Sequence, residues 1–246
     1  MLAIEDSPAG RFLDGLGAQL GMPRAIVIAS AHFTTRSPAV GADPAPATIH
    51  DFNGFPPTLH QIRYDAPGDP ALAADVARRL EDAGLATELR PAQGLDHGVW
   101  VPLRRMYPAA DVPVVPLAVQ PGADARAHFA LGRALAPLRE DGVLVVGSGG
   151  FVHNLGDLAW HDRAAAMPEW AREFADWMRQ HLAERDVDGL LDWSSRAPHA
   201  RRAHPTPEHL LPLFVALGAA GPDPRVDTLH TSNEYGSLAL DAFAFE

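Results

Sequence analysis

The chain has 246 residues, 47% hydrophobic and 21% charged, enough to bury a full core without covalent staples. It has no cysteine, which excludes disulfides, thiolate metal sites and cysteine nucleophiles and fits a reducing cytoplasmic setting. A net charge of -11 argues against nucleic acid and anionic membranes as partners, and no apolar run reaches the ~20 residues of a membrane span.

In chain order, residues 24–32 (RAIVIASAH) form a continuous apolar run rich in β-branched residues and predict a buried strand. Residues 39–48 are rich in proline and alanine but too few to separate domains. Asp69 and Pro70 make an N-cap and first-turn pair, so a helix is predicted over the ALAADVARRLEDAGL that follows. A second strand is expected over 111–119, where two prolines point to an edge or irregular position. A helix follows over 123–138. Residues 142–147 (GVLVVG) predict a third strand, expected to be central. A helix over 168–184 carries Trp170, Phe174, Trp177, Met178 and His181 on one face, a stripe that reads as core. Thr206 is expected to cap a last helix over 207–217, which sets His209 in its first turn. Weaker strands are expected over 226–229 and 237–243. Strands alternating with helices predict a single α/β domain over 1–246, a three-layer arrangement of a mixed central sheet flanked by helices.

Twelve histidines stand out, because without cysteine a transition metal would sit on imidazole and carboxylate. His32 ends the first strand, where α/β sheets bind ligands; a bond to a backbone carbonyl is the plainer alternative. His153 follows the third strand in GSGGFVHN, among glycines that let the backbone approach a ligand. His97, in GLDHGVWVP, suits acid–base work beside Trp100, which can wall off water; a solvated loop histidine fits this stretch equally well. His50 lies in the aromatic loop TIHDFNGFP and is assigned to a pocket wall. His204 reads as a solvated loop residue. There is no GxSxG, GxxxxGK, HExxH or GxGxxG motif, which removes most support for serine hydrolase, P-loop and Rossmann readings.

SAHF, TIHDFNGFP, YDAPGDPALA, GLDHGVWVPLRRMYP, GSGGFVHNL, APHARRAHPTPEHLLPL and YGSLALDAF occur in this order along nearly the whole chain. Together they resemble the DODA-type, class III extradiol ring-cleavage dioxygenases. The resemblance implies a non-haem metal enzyme with one α/β domain that opens a catecholic ring beside the diol with O2. It implies one Fe(II) per chain, with Zn(II) able to occupy the site, and a small catechol as substrate. Residue by residue, His32 and His209 match metal ligands. His153 matches a position beside the metal, a ligand in some members and an acid–base group in others. His97 matches the acid–base histidine, and His50 a loop lining the pocket; Phe55 and Trp100 would be aromatic walls.

One departure stands out. Members normally begin with a strand and a Gly-His-Gly-Ser-Pro motif whose histidine is the first ligand, whereas MLAIEDSPAGRFL resembles the segment just after it. The expectation is an N-terminally truncated chain or misplaced start; the alternative is a diverged member without that ligand. Two other functions compete: a non-catalytic interaction module on the same superfold, and a zinc-dependent hydrolase. Arg201 and Arg202 are a solvated basic pair or a carboxylate-binding one. Oligomeric state is not read from the sequence.

Overall fold

The strands are β1 (Ala25–Thr34), β2 (Ala39–Gly41), β3 (Glu88–Arg90), β4 (Val114–Val119), β5 (Val143–Ser148), β6 (Val226–His230), β7 (Asn233–Glu234), β8 (Leu238–Ala239) and β9 (Ala242–Phe245). The α-helices are α1 (Pro8–Leu20), α2 (Pro70–Asp82), α3 (His97–Met106), α4 (Ala125–Leu135), α5 (Glu169–Ala183), α6 (Val187–Leu191), α7 (Trp193–Arg196), α8 (Ala200–Ala203) and α9 (Leu211–Ala219). This computed structural model describes residues 2–246.

β1 to β5 form a mixed sheet in the order β3-β2-β4-β1-β5. β1 runs parallel to both β4 and β5, β2 runs parallel to β3, and a single antiparallel bridge joins Val40 of β2 to Leu117 of β4. β1 is buried on both faces: Ala25, Val27 and Ala29 join one core cluster, Ile26 and Ile28 the other. That is why its sequence is continuously apolar rather than alternating. The first cluster is capped by α2, α4, α5 and α9, and the second by residues of α1 and α3, giving the three expected layers. Ser7, Asp69 and Asp124 cap α1, α2 and α4 through their side chains.

Several predictions of placement are corrected. The strand over 142–147, expected to be central, is β5 at the edge of the sheet, paired only to β1. Its residues after Val143 are half-buried. The strand expected over 111–119 at an edge or irregular position is β4, which lies in the interior but pairs irregularly, with a break in its ladder to β1 and one bridge to β2. Ile26 N–H donates to the Pro113 carbonyl, so the odd-numbered residues of β4 face β1 in this parallel ladder. Pro116 therefore turns its missing N–H towards β2, where the single bridge asks nothing of it. The late strands pair among themselves, β6 with β9 and β7 with β8, outside the central sheet. α1, α3, β2 and β3 were not anticipated. Among the described residues, no helix is long and apolar enough to cross a membrane.

Candidate active site

β1 loses its ladder to β4 between Ser30 and Thr34. An irregularity of this kind re-aims side chains near the end of a strand. Ala31 and Phe33 turn inward, and His32 turns towards a cleft beyond the sheet. His97 is the first residue of α3, not a loop residue. The neighbouring segment is pinned to it: Ile49 N–H donates to the Leu95 carbonyl at 2.8 Å and Trp100 Nε1–H to the Ile49 carbonyl at 3.0 Å. This brings Asp51 against His97. Its Oδ1 accepts from the His97 amide at 3.0 Å and stands 2.9 Å from His97 Nδ1.

Pro102 lies inside α3 and offers no N–H to the Gly98 carbonyl one turn back. The Ser148 hydroxyl, at the end of β5, donates to that carbonyl instead. Thus α3 and β5 are tied together at the site. Gly98 also lies where a Cβ would meet His32 Cδ2 at 3.2 Å.

After β5 the chain turns through Gly149 and Gly150. The Gly150 amide donates to the His209 carbonyl at 3.0 Å, and the His153 amide to the Ala203 carbonyl at 3.1 Å. These bonds set the two rings face to face. The final helix begins at Leu211, later than expected, so His209 precedes it in a turn. Thr206 does not cap the helix, which starts five residues later with Leu210 at its N-cap; its hydroxyl donates to Glu208 at 2.7 Å.

Four expected histidines meet. Ring centroids lie 3.8 Å apart for His32–His97, 4.9 Å for His32–His209 and 3.4 Å for His153–His209. Burial pushes His32 down to about 4, reinforced by repulsion from His97 and opposed by Asp51. Burial, then repulsion from His153 and His32, drives His209 far below the usual histidine range. His153 is also lowered by burial, against the pull of Glu208. Burial raises the Asp51 carboxyl, but the His97 bonds more than reverse this and leave it well below the carboxylate range. Among the described residues, His32, Asp51 and His97 form the one group of three or more histidines and carboxylates whose donor atoms all lie within 4.8 Å of one another.

The remaining expected residues divide. Phe55, 38% exposed, stands at the lip of the cleft, and Trp100 is buried behind Phe52 in its wall. His50 packs 5.9 Å from both Phe52 and Trp100, and its Nε2 sits 2.9 Å from the Ile62 carbonyl. Arg202 donates to Asp157 at 2.7 Å and lies over Trp170, and neither it nor Arg201 lines the cleft. His204 is buried, not solvated. Asp51 was missed, although it stands inside the quoted TIHDFNGFP. Asp96, beside His97 in sequence, turns away; its Oδ1 accepts from Ser30 at 2.6 Å and its Oδ2 has no partner. Burial raises its carboxyl, against the Ser30 bond.

Such a sheet, with imidazoles and a carboxylate gathered beyond its strand ends, defines an α/β protein with a histidine-rich candidate metal site at the rim of its sheet. Residues 15–240 match the family described as the catalytic LigB subunit of aromatic ring-opening dioxygenase. The 4,5-DOPA dioxygenase extradiol of Beta vulgaris is 39% identical over 250 residues, 100% of this chain and 92% of that protein. The Escherichia coli (strain K12) protein of that name is 38% identical over 246 residues, 98% of this chain and 89% of that protein. A crystal structure of an uncharacterized Escherichia coli K12 protein superposes with a TM-score of 0.81 at 33% identity, covering 98% of this chain and 93% of that one. The chain belongs to the LigB family and is a dioxygenase of the extradiol type.

Proposed function

We propose that residues 1–246 act as one catalytic domain that inserts O2 into a small catecholic substrate beside its diol. One non-haem Fe(II) would be held by His32, His153 and His209, with Zn(II) able to occupy the same donors. The reading rests on one observation: imidazoles from four separate elements stand in one chain of ring contacts of 3.4 to 4.9 Å. The donor chemistry fits. Burial keeps His32, His153 and His209 neutral, and a neutral imidazole offers a lone pair to ferrous iron or zinc. When bound, the metal would supply open coordination positions for the diol and for O2.

The protein's own groups do the rest. His97, with Nδ1 against Asp51, has Nε2 free to take a phenolic proton and later return one. His153, which carries no fixed charge, would stabilise charge developing on the opposite side or serve as the third ligand. Phe52, backed by Trp100, and Phe55 form an aromatic wall that accepts a planar ring and excludes water.

The test loads the protein anaerobically with ferrous iron, adds a panel of catechols, then admits oxygen. Uptake of one O2 per ring with a yellow semialdehyde product is expected. No uptake with any catechol by iron-loaded protein would overturn the reading in favour of a non-catalytic module, and metal-dependent ester or amide cleavage would favour a hydrolase.

A further inference from the structure

We infer that Asp51 is the positioning residue of His97, fixing both the orientation of its ring and which ring nitrogen carries the proton. This rests on the proposed acid–base role of His97.

Asp51 takes hold of His97 twice through one oxygen, at the backbone amide (3.0 Å) and at ring Nδ1 (2.9 Å). The amide is one of the unpaired donors that open a helix, and a carboxylate there is favoured by the helix dipole. The helix's own N-cap residue, Asp96, makes no capping bond and gives its Oδ1 to Ser30, so Asp51 supplies from another loop what Asp96 does not. The other oxygen of Asp51 lies 3.6 Å from His32 Nδ1, beyond hydrogen-bond range, so the commitment is to His97.

The ring of His97 is fenced but not keyed by its apolar neighbours. His32 lies against it at 3.8 Å, and Phe52 meets it edge-on at 5.5 Å. A half-turn about Cβ–Cγ would satisfy both contacts equally well, exchanging Nδ1 for Cδ2. Only Asp51 tells the two orientations apart. An anionic acceptor requires a proton on Nδ1, which leaves the Nε2 lone pair free as the base. The carboxylate is well suited, since one of its oxygens meets both the amide and the ring of His97 and its side chain is only 25% exposed. The logic is that of any orienting carboxylate behind an acid–base histidine.

The experiment compares D51A, D51N and H97Q with the wild-type chain. In zinc-loaded protein carrying 15N-histidine, the His97 ring signals are assigned by their loss in H97Q. Wild-type His97 should show the Nδ1–H tautomer, and D51A a mixture or the Nε2–H form. D51N, whose amide oxygen still accepts both bonds, should keep the tautomer; should D51A fail to fold, D51N with a weakened but measurable Nδ1–H signal carries the test. With iron and a catechol, kcat of D51A should fall about 10- to 100-fold with KM within about twofold, metal content unchanged, and D51N should recover part of the loss. An unaltered His97 tautomer and kcat in D51A would overturn the inference, and so would loss of metal from D51A, which would make Asp51 a ligand. If instead H97Q turns over like wild type while the tautomer still follows Asp51, the acid–base reading of His97 fails and the positioning stands.

Discussion

The four clustered imidazoles form two unlike pairs. His32 and His97 meet at 3.8 Å with their planes tilted by 44°, and a carboxylate reaches both. His153 and His209 stack at 3.4 Å within 10° of parallel, and no carboxylate bonds to either ring. In the first pair His97 is oriented by side-chain polarity, through Asp51. The second is set by the main chain, through the amides of Gly150 and His153 and their carbonyl partners. A ring held by a carboxylate is keyed for proton transfer, because its tautomer is chosen. A ring held by its backbone and kept neutral by burial is suited to binding a cation, because its lone pair is free and its position fixed. The contrast is sharpest between His97, keyed by a carboxylate, and His209, set by the main chain and kept neutral by burial.

The largest effect should come from separating the pairs by mutation. H209A should lower metal affinity more than about 100-fold and carry activity down with it, since removing a ligand exceeds the 10- to 100-fold of an outer-shell loss. H97Q should leave metal content near wild type while turnover falls about 100- to 10,000-fold, the range for a lost acid–base group. Metal stoichiometry and steady-state kinetics on the same preparations check both. Equal metal loss in the two variants would erase the distinction.

How much of this was legible depended on the range of each interaction. β1 was legible because burial on both faces leaves an unbroken apolar run. β5 has the same composition, and its edge position was hidden because side chains report which faces are covered, not whether both backbone edges are paired. The three-residue strands β2 and β3 are too short to show a period. α3 was masked by Gly98 and Pro102, poor helix formers kept by close packing at Gly98 and by the Ser148 hydroxyl behind Pro102. At the site, the histidines drew notice through strand ends and glycine turns, both local signals. Asp51 has none: its partner is 46 residues away, and only the pairing of 47–49 with Leu95 brings them together. His204 lies among Arg201, Arg202 and prolines, a polar context that reads as solvated, yet its ring packs 5.5 Å from those of both Phe174 and Trp193.

Each pair also rests on a glycine, and the two glycines should respond differently. A Cβ on Gly149 would overlap the His209 carbonyl oxygen and lie 3.0 Å from its carbon, so backbone must move. A Cβ on Gly98 meets side chains rather than backbone, Ser30 Oγ at 2.5 Å, Asp96 Oδ1 at 3.0 Å and His32 Cδ2 at 3.2 Å, so the buried Ser30 hydroxyl must give way, while Ala gains helix propensity there. G149A should destabilise by about 3 kcal/mol and weaken metal binding, while G98A should lose about 2 kcal/mol. Urea unfolding and metal titration of both variants check this. A G98A protein more damaged than G149A would mean that the first pair, not the second, depends on main-chain geometry.

The last effect concerns the histidine behind the backbone-set pair. His204 is 4% exposed, follows the Ala203 whose carbonyl holds the His153 amide, and donates from Nε2 to the Phe151 carbonyl at 3.1 Å. Its Nδ1 has no partner, and burial brings it down to about 4, helped by His153 and opposed by the Phe151 bond. In the unfolded chain the same ring takes up a proton near pH 6.5. Below that pH the unfolded state therefore binds more protons than the folded state, and stability declines as pH falls, levelling off near the folded value of about 4. Between pH 6.5 and pH 5 this ring alone should account for about 2 kcal/mol. H204Q keeps an N–H for the Phe151 carbonyl but does not titrate. Denaturant unfolding of wild type and H204Q from pH 7 to pH 5 should give curves that converge on acidification by that amount, since the shared histidines cancel in the difference. Curves that stay parallel would show that His204 carries its proton in the folded protein, and that the core behind His153 is wetter than its packing implies.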